Sequence, residues 1–300
     1  MKKLLIIGAN GFLGKNLLRV YNQNSLYKNS YEIYTADLQN SNIPENFSFK
    51  KLDITNKEEM YEYIQYIHPE IIILTAAMTD VDKCEIERDL AKKINFEAPK
   101  NIAELCAEIN SKLIFMSTDF IFDGKKPKTP YNEKDIPNPL SYYALTKFHA
   151  ELSILYAEIE FLVCRTAVLY GWNDTKLNFI TWILEKLRKG EEITIVTNQI
   201  NSPTYVVNLA EIIFKLIEKN QKGIYHTAGD SILSRYEMAR KCAEIFEYDM
   251  DLIHPIENLE QTAQRPTNVG LDITKLKKLL GNEKKIYTLT DGLIHMKNNQ

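Results

Sequence analysis

Hydrophobic residues in the first half of the chain fall into short runs separated by amphipathic stretches. Six runs have the length and side-chain composition of strands: Lys3–Ile7, Glu32–Thr35, Phe47–Lys50, Ile71–Leu74, Leu113–Met116 and Phe161–Arg165. Strands that alternate with helices predict a parallel sheet covered by helices. Residues 4–7 and 71–74 are apolar throughout, which is typical of strands buried on both faces. We therefore expect an α/β fold with a doubly wound parallel sheet, the Rossmann arrangement.

After Gly171 the pattern loosens into helices and isolated strands. We expect residues 1–171 to form a dinucleotide-binding domain and residues 172–300 to form mainly a smaller substrate-binding lobe. A further strand is predicted near residues 223–228, and it would return to the main sheet. The two lobes are then interleaved along the chain.

Composition and charge exclude several classes of protein. Of the 300 residues, 45% are hydrophobic, and 37 basic against 40 acidic residues give a net charge of -3 with both signs scattered. Nothing here predicts a nucleic-acid surface. No apolar run approaches the roughly 18 residues of a membrane span, and the first run is too short for a signal peptide. We expect a cytoplasmic protein that binds neither nucleic acid nor membrane.

The four cysteines, Cys84, Cys106, Cys164 and Cys242, are widely spaced. They form no C-x-x-C pair, and no histidine lies at metal-ligand spacing from them. We interpret them as reduced thiols and predict no metal site, although carboxylates that bridge two subunits would leave no such pattern.

A glycine-rich segment follows the first strand. Gly8, Gly11 and Gly14 bracket Asn10, Phe12 and Leu13, and a helix is expected from here through about Gln23. Glycines allow a tight turn and close approach of a ligand, while the helix N-terminus offers N–H groups to a pyrophosphate. The segment predicts dinucleotide binding. The alternative is a glycine-rich turn that binds nothing.

Two carboxylates follow the next strands. Asp37 ends the second strand, where it can accept hydrogen bonds from the adenosine ribose and oppose the extra phosphate of NADP. NAD(H) is therefore the preferred cofactor and NADP(H) a possible one. Asp53, after the third strand, is expected to contact the adenine, and the adjacent Ile54 is a further cofactor-binding candidate. For both carboxylates the alternative is an Asp that merely starts a turn.

Tyr143 and Lys147 stand four residues apart in a predicted helix that the sequence Ala144–Tyr156 supports, so their side chains share one face. A nearby ammonium lowers the pKa of a phenol and makes it useful for proton transfer. Thr118 ends the fifth strand, at the edge where doubly wound sheets bind ligands. Its hydroxyl can polarise a carbonyl there, or cap the following turn. The order of glycine loop, threonine and Tyr/Lys pair favours catalysis.

With these residues the chain resembles the extended short-chain dehydrogenase/reductases, and within them the dTDP-4-dehydrorhamnose reductases. The resemblance spans almost the whole chain. Matching segments are residues 8–14, 68–70, 76–85, 117–124, 138–147, 165–166, 202–204 and 264–268.

The resemblance implies the site. Thr118, Tyr143 and Lys147 would be the catalytic triad, and Tyr143 and Lys147 would also contact the cofactor. Residues expected to line the cofactor on its nicotinamide side are Ala76, Ala77, Met78 and Thr79. Residues expected to contact the nucleotide-sugar are Thr118, Asp119, Asn95, Asn178 and Arg265. The implied reaction is reduction of the 4-keto group of a nucleotide-activated deoxysugar by an NAD(P)-dependent oxidoreductase.

Departures from the family pattern leave alternatives open. Val168 stands where the reductases usually carry a Trp that holds the sugar, and Asn198 and Asn201 replace the usual Asp and Gly. The regulatory subunits of methionine adenosyltransferase share much of the pattern, which gives a non-catalytic alternative, and an epimerase is a second. Phe120 replaces the Glu of the dehydratases, which disfavours elimination.

Extended relatives often dimerise, which predicts a homodimer through residues 97–110 and 142–158.

Overall fold

The computed structural model describes residues 1–40, 43–126, 130–173 and 176–299. The strands within these residues are β1 (Lys2–Ile7), β2 (Tyr31–Asp37), β3 (Ser48–Lys51), β4 (Ile71–Leu74), β5 (Lys112–Thr118), β6 (Phe161–Thr166), β7 (Leu169–Tyr170), β8 (Ile193–Val196), β9 (Ile200–Asn201), β10 (Thr204–Tyr205), β11 (Gly223–His226), β12 (Leu233–Ser234) and β13 (Ile253–Ile256).

The α-helices of the same residues are α1 (Phe12–Gln23), α2 (Ser25–Ser30), α3 (Lys57–Ile67), α4 (Val81–Ile86), α5 (Arg88–Lys92), α6 (Ala98–Ile109), α7 (Tyr142–Tyr156), α8 (Phe179–Arg188), α9 (Val206–Glu218), α10 (Arg235–Phe246), α11 (Thr274–Leu280) and α12 (Leu289–Lys297). A π-helix covers Lys93–Glu97, and 3₁₀ turns cover Asp119–Ile121 and Met250–Leu252.

In the described part of the chain, seven strands form one sheet in the order β11, β6, β5, β4, β1, β2, β3. β1 pairs in parallel with both β2 and β4, so that Leu4 lies opposite Ile33 on one side and Ile71 on the other. The strand order therefore reverses beside β1, which is the doubly wound arrangement. The predicted α/β fold with a doubly wound parallel sheet is confirmed.

The apolar strands are buried, as their sequences indicate. Leu4–Ile7 in β1 and Ile71–Leu74 in β4 are buried without exception. Every residue of β5 is also buried, including Thr118 at its carboxyl end. Because polar side chains reach solvent only past the strand ends, the edge formed by β1, β4 and β5 is where ligand-binding groups can be presented.

The chain divides into two compact units that alternate along the sequence. The first comprises Met1–Thr118, Ser141–Cys164 and Leu216–Ile224, and the second comprises the described residues within Asp119–Leu140, Arg165–Lys215 and Tyr225–Gln300. β11 joins the main sheet beside β6, in the segment for which the sequence predicts a returning strand.

Each unit has its own hydrophobic core. In the first unit, side chains of the sheet pack against α3, α6 and α7 through residues such as Met60, Ile102 and Ile154. In the second unit, α8, α10 and α12 surround the pair β8 and β13, with Ile183, Met238 and Leu293 fully buried. Both units are thus stabilised by their own apolar burial.

Helix starts differ slightly from the sequence-based expectation. The helix supported by Ala144–Tyr156 begins at Tyr142, because the Ser141 hydroxyl accepts the Ala144 N–H at 3.3 Å and caps it. Helix α6, which lies within the predicted interface segment 97–110, begins at Ala98, directly after the π-helix. A π-turn admits one extra residue per turn and often occurs beside a functional site.

Candidate active site

The three glycines between β1 and α1 are required for different reasons. Gly8 has a φ of 89°, and a Cβ there would lie 2.4 Å from the Ala76 backbone nitrogen. A Cβ on Gly14 would lie 2.2 Å from the Gly8 carbonyl oxygen. Gly11 has an ordinary φ of -68°, and its Cβ would meet only the Gly8 oxygen, at 3.1 Å. Gly8 and Gly14 therefore maintain the turn, whereas the space beside Gly11 remains open to a ligand.

The start of α1, at Phe12 and Leu13, suits an anion. No side chain of the described residues caps this helix, and no acidic residue lies in its first turn. The first N–H groups of the helix and its positive dipole end are then available to a phosphate. A glycine turn that leads into an uncapped 12-residue helix fits the pyrophosphate of a dinucleotide.

Asp37 holds the glycine turn from the neighbouring strand. One carboxylate oxygen accepts the Asn10 backbone N–H at 2.9 Å, and the other accepts that of Leu38 at 2.7 Å. Asn10 donates its side-chain amide to the Gln39 carbonyl, while its own Oδ1 is buried and meets no donor among the residues that the structure describes. Asp37 remains partly exposed, so the same carboxylate can also meet a ribose.

Asp53 and Ile54 differ in exposure. The Asp53 carboxylate is exposed and accepts both the backbone N–H and the hydroxyl of Thr55, at 2.9 and 2.8 Å. This is the geometry of an Asp that starts a turn. Ile54 is buried in the core of the first unit. Asp53 is thus engaged in its own turn through one carboxylate oxygen.

The segment after β4 is held by Asn95. Asn95 is fully buried in the π-helix, where its Oδ1 accepts the Met78 N–H and its Nδ2 donates to the Met78 carbonyl, both at 2.9 Å. Ala76, Ala77 and Met78 are partly buried and Thr79 is exposed. Both ends of the Asn95 amide thus bind Met78, and Asn95 shapes the segment that follows β4.

Thr118, Tyr143 and Lys147 come from two elements that pack together, β5 and α7. Thr118 is buried at the end of β5, and Tyr143 and Lys147 lie one turn apart in the first half of α7. The Tyr142 N–H donates to the Glu85 carboxylate at 2.6 Å, which ties the start of the helix to α4. The fold therefore brings the three predicted catalytic residues onto one strand–helix pair.

Lys147 is almost completely buried, with 3% of its surface exposed. Its Nζ lies 4.0 Å from the centroid of the Phe115 ring in β5. Burial lowers the pKa of Lys147 to about 7, while the Glu151 carboxylate and the Cys84 thiol act in the opposite direction. Burial also raises the pKa of Cys84 to about 11, so this thiol stays protonated at neutral pH.

Glu151 is a residue that the sequence reasoning missed. It is 1% exposed and lies one helical turn beyond Lys147, so that Tyr143, Lys147 and Glu151 follow one another at four-residue intervals. The sequence signal that could have identified Glu151 is an acidic residue on the otherwise apolar face of the predicted helix. A buried carboxylate near a buried ammonium favours the charged form of the latter.

The substrate candidates of the second unit are held by local contacts. Asp119 is 2% exposed and accepts the Asn201 side-chain N–H at 3.1 Å. Asn178 caps α8 by accepting the Thr181 N–H, and its Nδ2 donates to the Gly171 carbonyl at 2.7 Å. Arg265 is partly buried and donates to the Ala263 carbonyl at 2.7 Å. The Asn178 amide is therefore engaged at both ends, which makes it a positioning group.

Positions that depart from the family pattern have distinct environments. Val168 has a φ of 40°, a left-handed conformation that β-branched residues rarely adopt and that costs about 1–3 kcal/mol. Asn201 is the residue that donates to Asp119, whereas Asn198 donates to Asn258 at 3.1 Å on the surface. The departure at residue 201 thus bears directly on a candidate substrate contact.

The family model described as the RmlD substrate binding domain matches residues 1–293. The chain belongs to this family. The dTDP-4-dehydrorhamnose reductase of Aggregatibacter actinomycetemcomitans is 31% identical, over 94% of this chain and 94% of that protein. Subunit beta of methionine adenosyltransferase 2 from Bos taurus is 30% identical, over 93% of this chain and 82% of that protein.

A solved structure of this family extends the comparison to three dimensions. The dTDP-4-dehydrorhamnose reductase of Bacillus anthracis, in complex with NADP, is 31% identical and superposes with a TM-score of 0.87. The match covers 100% of this chain and 99% of that one. The resemblance to the extended reductases is thereby confirmed.

Within the residues that the structure describes, no helix is both long and apolar enough to cross a membrane.

Proposed function

We propose that this protein is an NAD(P)-dependent oxidoreductase that reduces the 4-keto group of a nucleotide-activated deoxysugar. The observation that carries the proposal is the placement of Thr118, Tyr143 and Lys147 on the packed pair β5 and α7. Relatives that match this chain from end to end are dTDP-4-dehydrorhamnose reductases. The family likeness and the chemistry of the three side chains thus support the same reaction.

A nicotinamide dinucleotide supplies the hydride when bound. We propose that the uncapped start of α1 and the space beside Gly11 hold its pyrophosphate, with Phe12 and Leu13 contributing backbone N–H groups. Asp37 receives the adenosine ribose, with Asp53 and Ile54 toward the adenine, and residues 76–79 lie toward the nicotinamide. The charge of Asp37 supports a preference for NADH over NADPH, although the Bacillus anthracis relative is in complex with NADP.

The proposed roles of the triad follow from its chemistry. Tyr143 donates a proton to the oxygen that becomes the hydroxyl of the product, and Thr118 donates a hydrogen bond to the same oxygen. Lys147, buried against Phe115, holds a cofactor ribose and stabilises the tyrosinate that remains after proton donation. On the substrate side we propose contacts from Asp119 and Arg265, and positioning roles for Asn95 and Asn178, each within its own unit.

The decisive experiment measures NADH oxidation by the purified protein with a panel of 4-keto nucleotide-sugars. We expect turnover with at least one of them. The competing hypothesis is a regulatory role, because the beta subunits of methionine adenosyltransferase 2 match this chain at 30% identity. A protein that binds NADH, reduces no keto-sugar and copurifies with a partner would establish that role instead.

We also propose a cytoplasmic homodimer. The four cysteines are buried and form no disulfide with one another, which fits a reducing compartment. The proposed interface uses α6 and α7, and the exposed side chains of Leu155 and Tyr156 at the end of α7 support it. Light scattering at micromolar concentration is expected to give twice the monomer mass, and a monomer would contradict the interface without affecting the proposed chemistry.

A further inference from the structure

Arg235 is placed against the local preference of its helix. It is the first residue of α10, where the positive end of the helix dipole disfavours a cation. The helix start is already complete, because the Ser234 hydroxyl accepts the Glu237 N–H at 3.1 Å and the Glu237 carboxylate accepts the Ser234 N–H at 2.7 Å. The cap of α10 therefore does not use the Arg235 side chain, and the charge of Arg235 opposes the helix dipole.

The short strand β9 brings a second arginine into the same neighbourhood. On one edge, Ser234 pairs with Ile200, and the Arg235 N–H donates to the Gln199 carbonyl at 2.9 Å. On the other edge, the Ile200 N–H donates to the Thr267 carbonyl at 2.7 Å. Because Arg265 is two residues before Thr267, β9 lies between the two arginine-bearing segments, with one on each of its edges.

Two charged groups act on Arg235. Burial lowers the pKa of Arg235, the Asp119 carboxylate, which is tied to β9 through Asn201, raises it, and the Arg265 cation lowers it, so that it lies at about 10. Arg235 therefore carries its charge at neutral pH within the electrostatic reach of a second guanidinium. A cation that has lost part of its hydration is costly, and an anionic ligand can compensate this cost.

The Arg235 guanidinium is also held in a defined position. The guanidinium carbon of Arg235, Cζ, lies 4.5 Å from the centroid of the Phe179 ring. Phe179 is fixed in turn as the first residue of α8, behind the Asn178 cap. Across the ranges that the structure describes, no protein acceptor takes a hydrogen bond from this guanidinium, so its donors are available to a ligand. Stacking on an aromatic face orders the planar group without consuming those donors.

We infer that Arg235, together with Arg265, binds the diphosphate of the nucleotide-sugar. A planar guanidinium can donate to two phosphate oxygens at once, and the negative charge of a diphosphate complements the Arg235 and Arg265 cations. The inference rests on the proposed function, which it deepens by naming Arg235 as a residue that selects a diphosphate-linked sugar. Arg235 binds a remote part of the substrate and does not touch the reacting carbonyl.

The test measures the binding of thymidine diphosphate, uridine diphosphate and inorganic pyrophosphate to the NADH-loaded protein by titration calorimetry. Arg235→Met should weaken the binding of at least one nucleoside diphosphate by about tenfold to a hundredfold, the scale of a lost charged hydrogen bond. Arg235→Lys should lose less affinity for the nucleoside diphosphate than Arg235→Met does, because lysine keeps the positive charge. NADH affinity should stay unchanged in both variants.

Arg240→Met is the matched control. Arg240 lies on the same helix and over an aromatic ring, with its Cζ 5.9 Å from the Tyr236 centroid, but its side chain is exposed. The substitution removes the same charge from α10, and we expect diphosphate affinity to change by less than about twofold, as for an exposed charge in salt. An equal loss in both variants would show a general charge effect and overturn the inference.

Two further outcomes separate the inference from the proposed function. Unchanged diphosphate affinity in Arg235→Met and in Arg235→Lys, with a wild type that reduces a nucleotide-sugar, would overturn the role of Arg235 and leave the function intact. In the second outcome the wild type reduces no keto-sugar, and diphosphate affinity falls in Arg235→Met but not in Arg240→Met. This outcome would overturn the proposed function and support the diphosphate site.

Discussion

The Lys147 ammonium lies 4.0 Å from the centroid of the Phe115 ring, and both side chains are buried. Phe115 belongs to β5, the strand that ends in Thr118, while Lys147 belongs to α7, the helix that carries Tyr143. This contact therefore links the two elements that present the proposed catalytic groups. An aromatic face compensates part of the hydration that the ammonium loses on burial, and so allows a cation in the core.

Tyr143→Phe should lower turnover by roughly a hundredfold or more, the scale of a positioned proton donor. The ring is retained, so the melting temperature and NADH affinity should barely change. Tyr142→Phe is the matched control, because Tyr142 is the preceding residue of α7 and its ring packs against Arg88. Equal activity of the two variants would exclude the proton-donor role. A parallel loss of stability and turnover in Tyr143→Phe would indicate a structural hydroxyl.

The buried Lys147 predicts a pH dependence of stability in the absence of cofactor. Its pKa is about 7 in the folded protein and about 10.4 in an unfolded chain. Between these values the unfolded chain binds more protons, so the free energy of unfolding rises with pH. In denaturant titrations at several pH values, the free energy of unfolding of the wild type should rise relative to that of Lys147→Met, by at most about 1.4 kcal/mol per pH unit.

The sign of this dependence is the critical outcome. Below pH 7 Lys147 is protonated in both states, so its burial destabilises the fold fully, and above about pH 10.4 this destabilisation is absent. The neighbouring Cys84 thiol, whose pKa burial raises to about 11 in the folded protein, titrates within this window in the unfolded chain, but it is present in both proteins and largely cancels in the comparison with Lys147→Met. A wild type that loses stability relative to Lys147→Met between pH 7 and pH 10 would contradict the buried ammonium.

Gly11→Ala should weaken dinucleotide binding by about tenfold or more while the protein still folds. Its Cβ would point into the space assigned to the pyrophosphate and contact only the Gly8 oxygen, at 3.1 Å. Gly14→Ala is the contrast, because its Cβ would lie 2.2 Å from the same oxygen and should destabilise the turn itself. Fluorescence titration with NADH and thermal melts distinguish the two effects. Unaltered NADH affinity in Gly11→Ala would place the pyrophosphate elsewhere.

Asp37→Asn should narrow the preference for NADH over NADPH by about tenfold, because the extra phosphate then meets no negative charge. Asparagine keeps one oxygen, which can accept the N–H of Asn10 or that of Leu38 but not both, so a thermal melt should show that the variant folds with one hydrogen bond of the turn lost. Asp53→Asn is the control, since Asp53 lies after β3 and binds its own turn. We expect its ratio of cofactor affinities to match wild type. An equal ratio of NADH to NADPH affinity in the wild type, Asp37→Asn and Asp53→Asn would mean that Asp37 does not contact the ribose.

Much of this protein is determined by its sequence alone. The apolar runs 4–7 and 71–74 predict buried parallel strands, because only a strand covered on both faces carries no polar position. The glycine segment and the Tyr143/Lys147 spacing identify the candidate site, since tight turns and one-turn helical spacing are local properties of the backbone. Local patterns of this kind need no knowledge of distant residues.

Tertiary structure decided what each candidate side chain touches. Asn95 and Asn178 have the sequence context of substrate contacts, yet their amides bind Met78 in one case and Gly171 and Thr181 in the other. Burial and charge balance likewise depend on residues far apart in sequence. Arg235 becomes notable only because β9 aligns it with residue 267, and Glu151 only because α7 turns it into the core. Such contacts arise from packing, which one-dimensional periodicity does not encode.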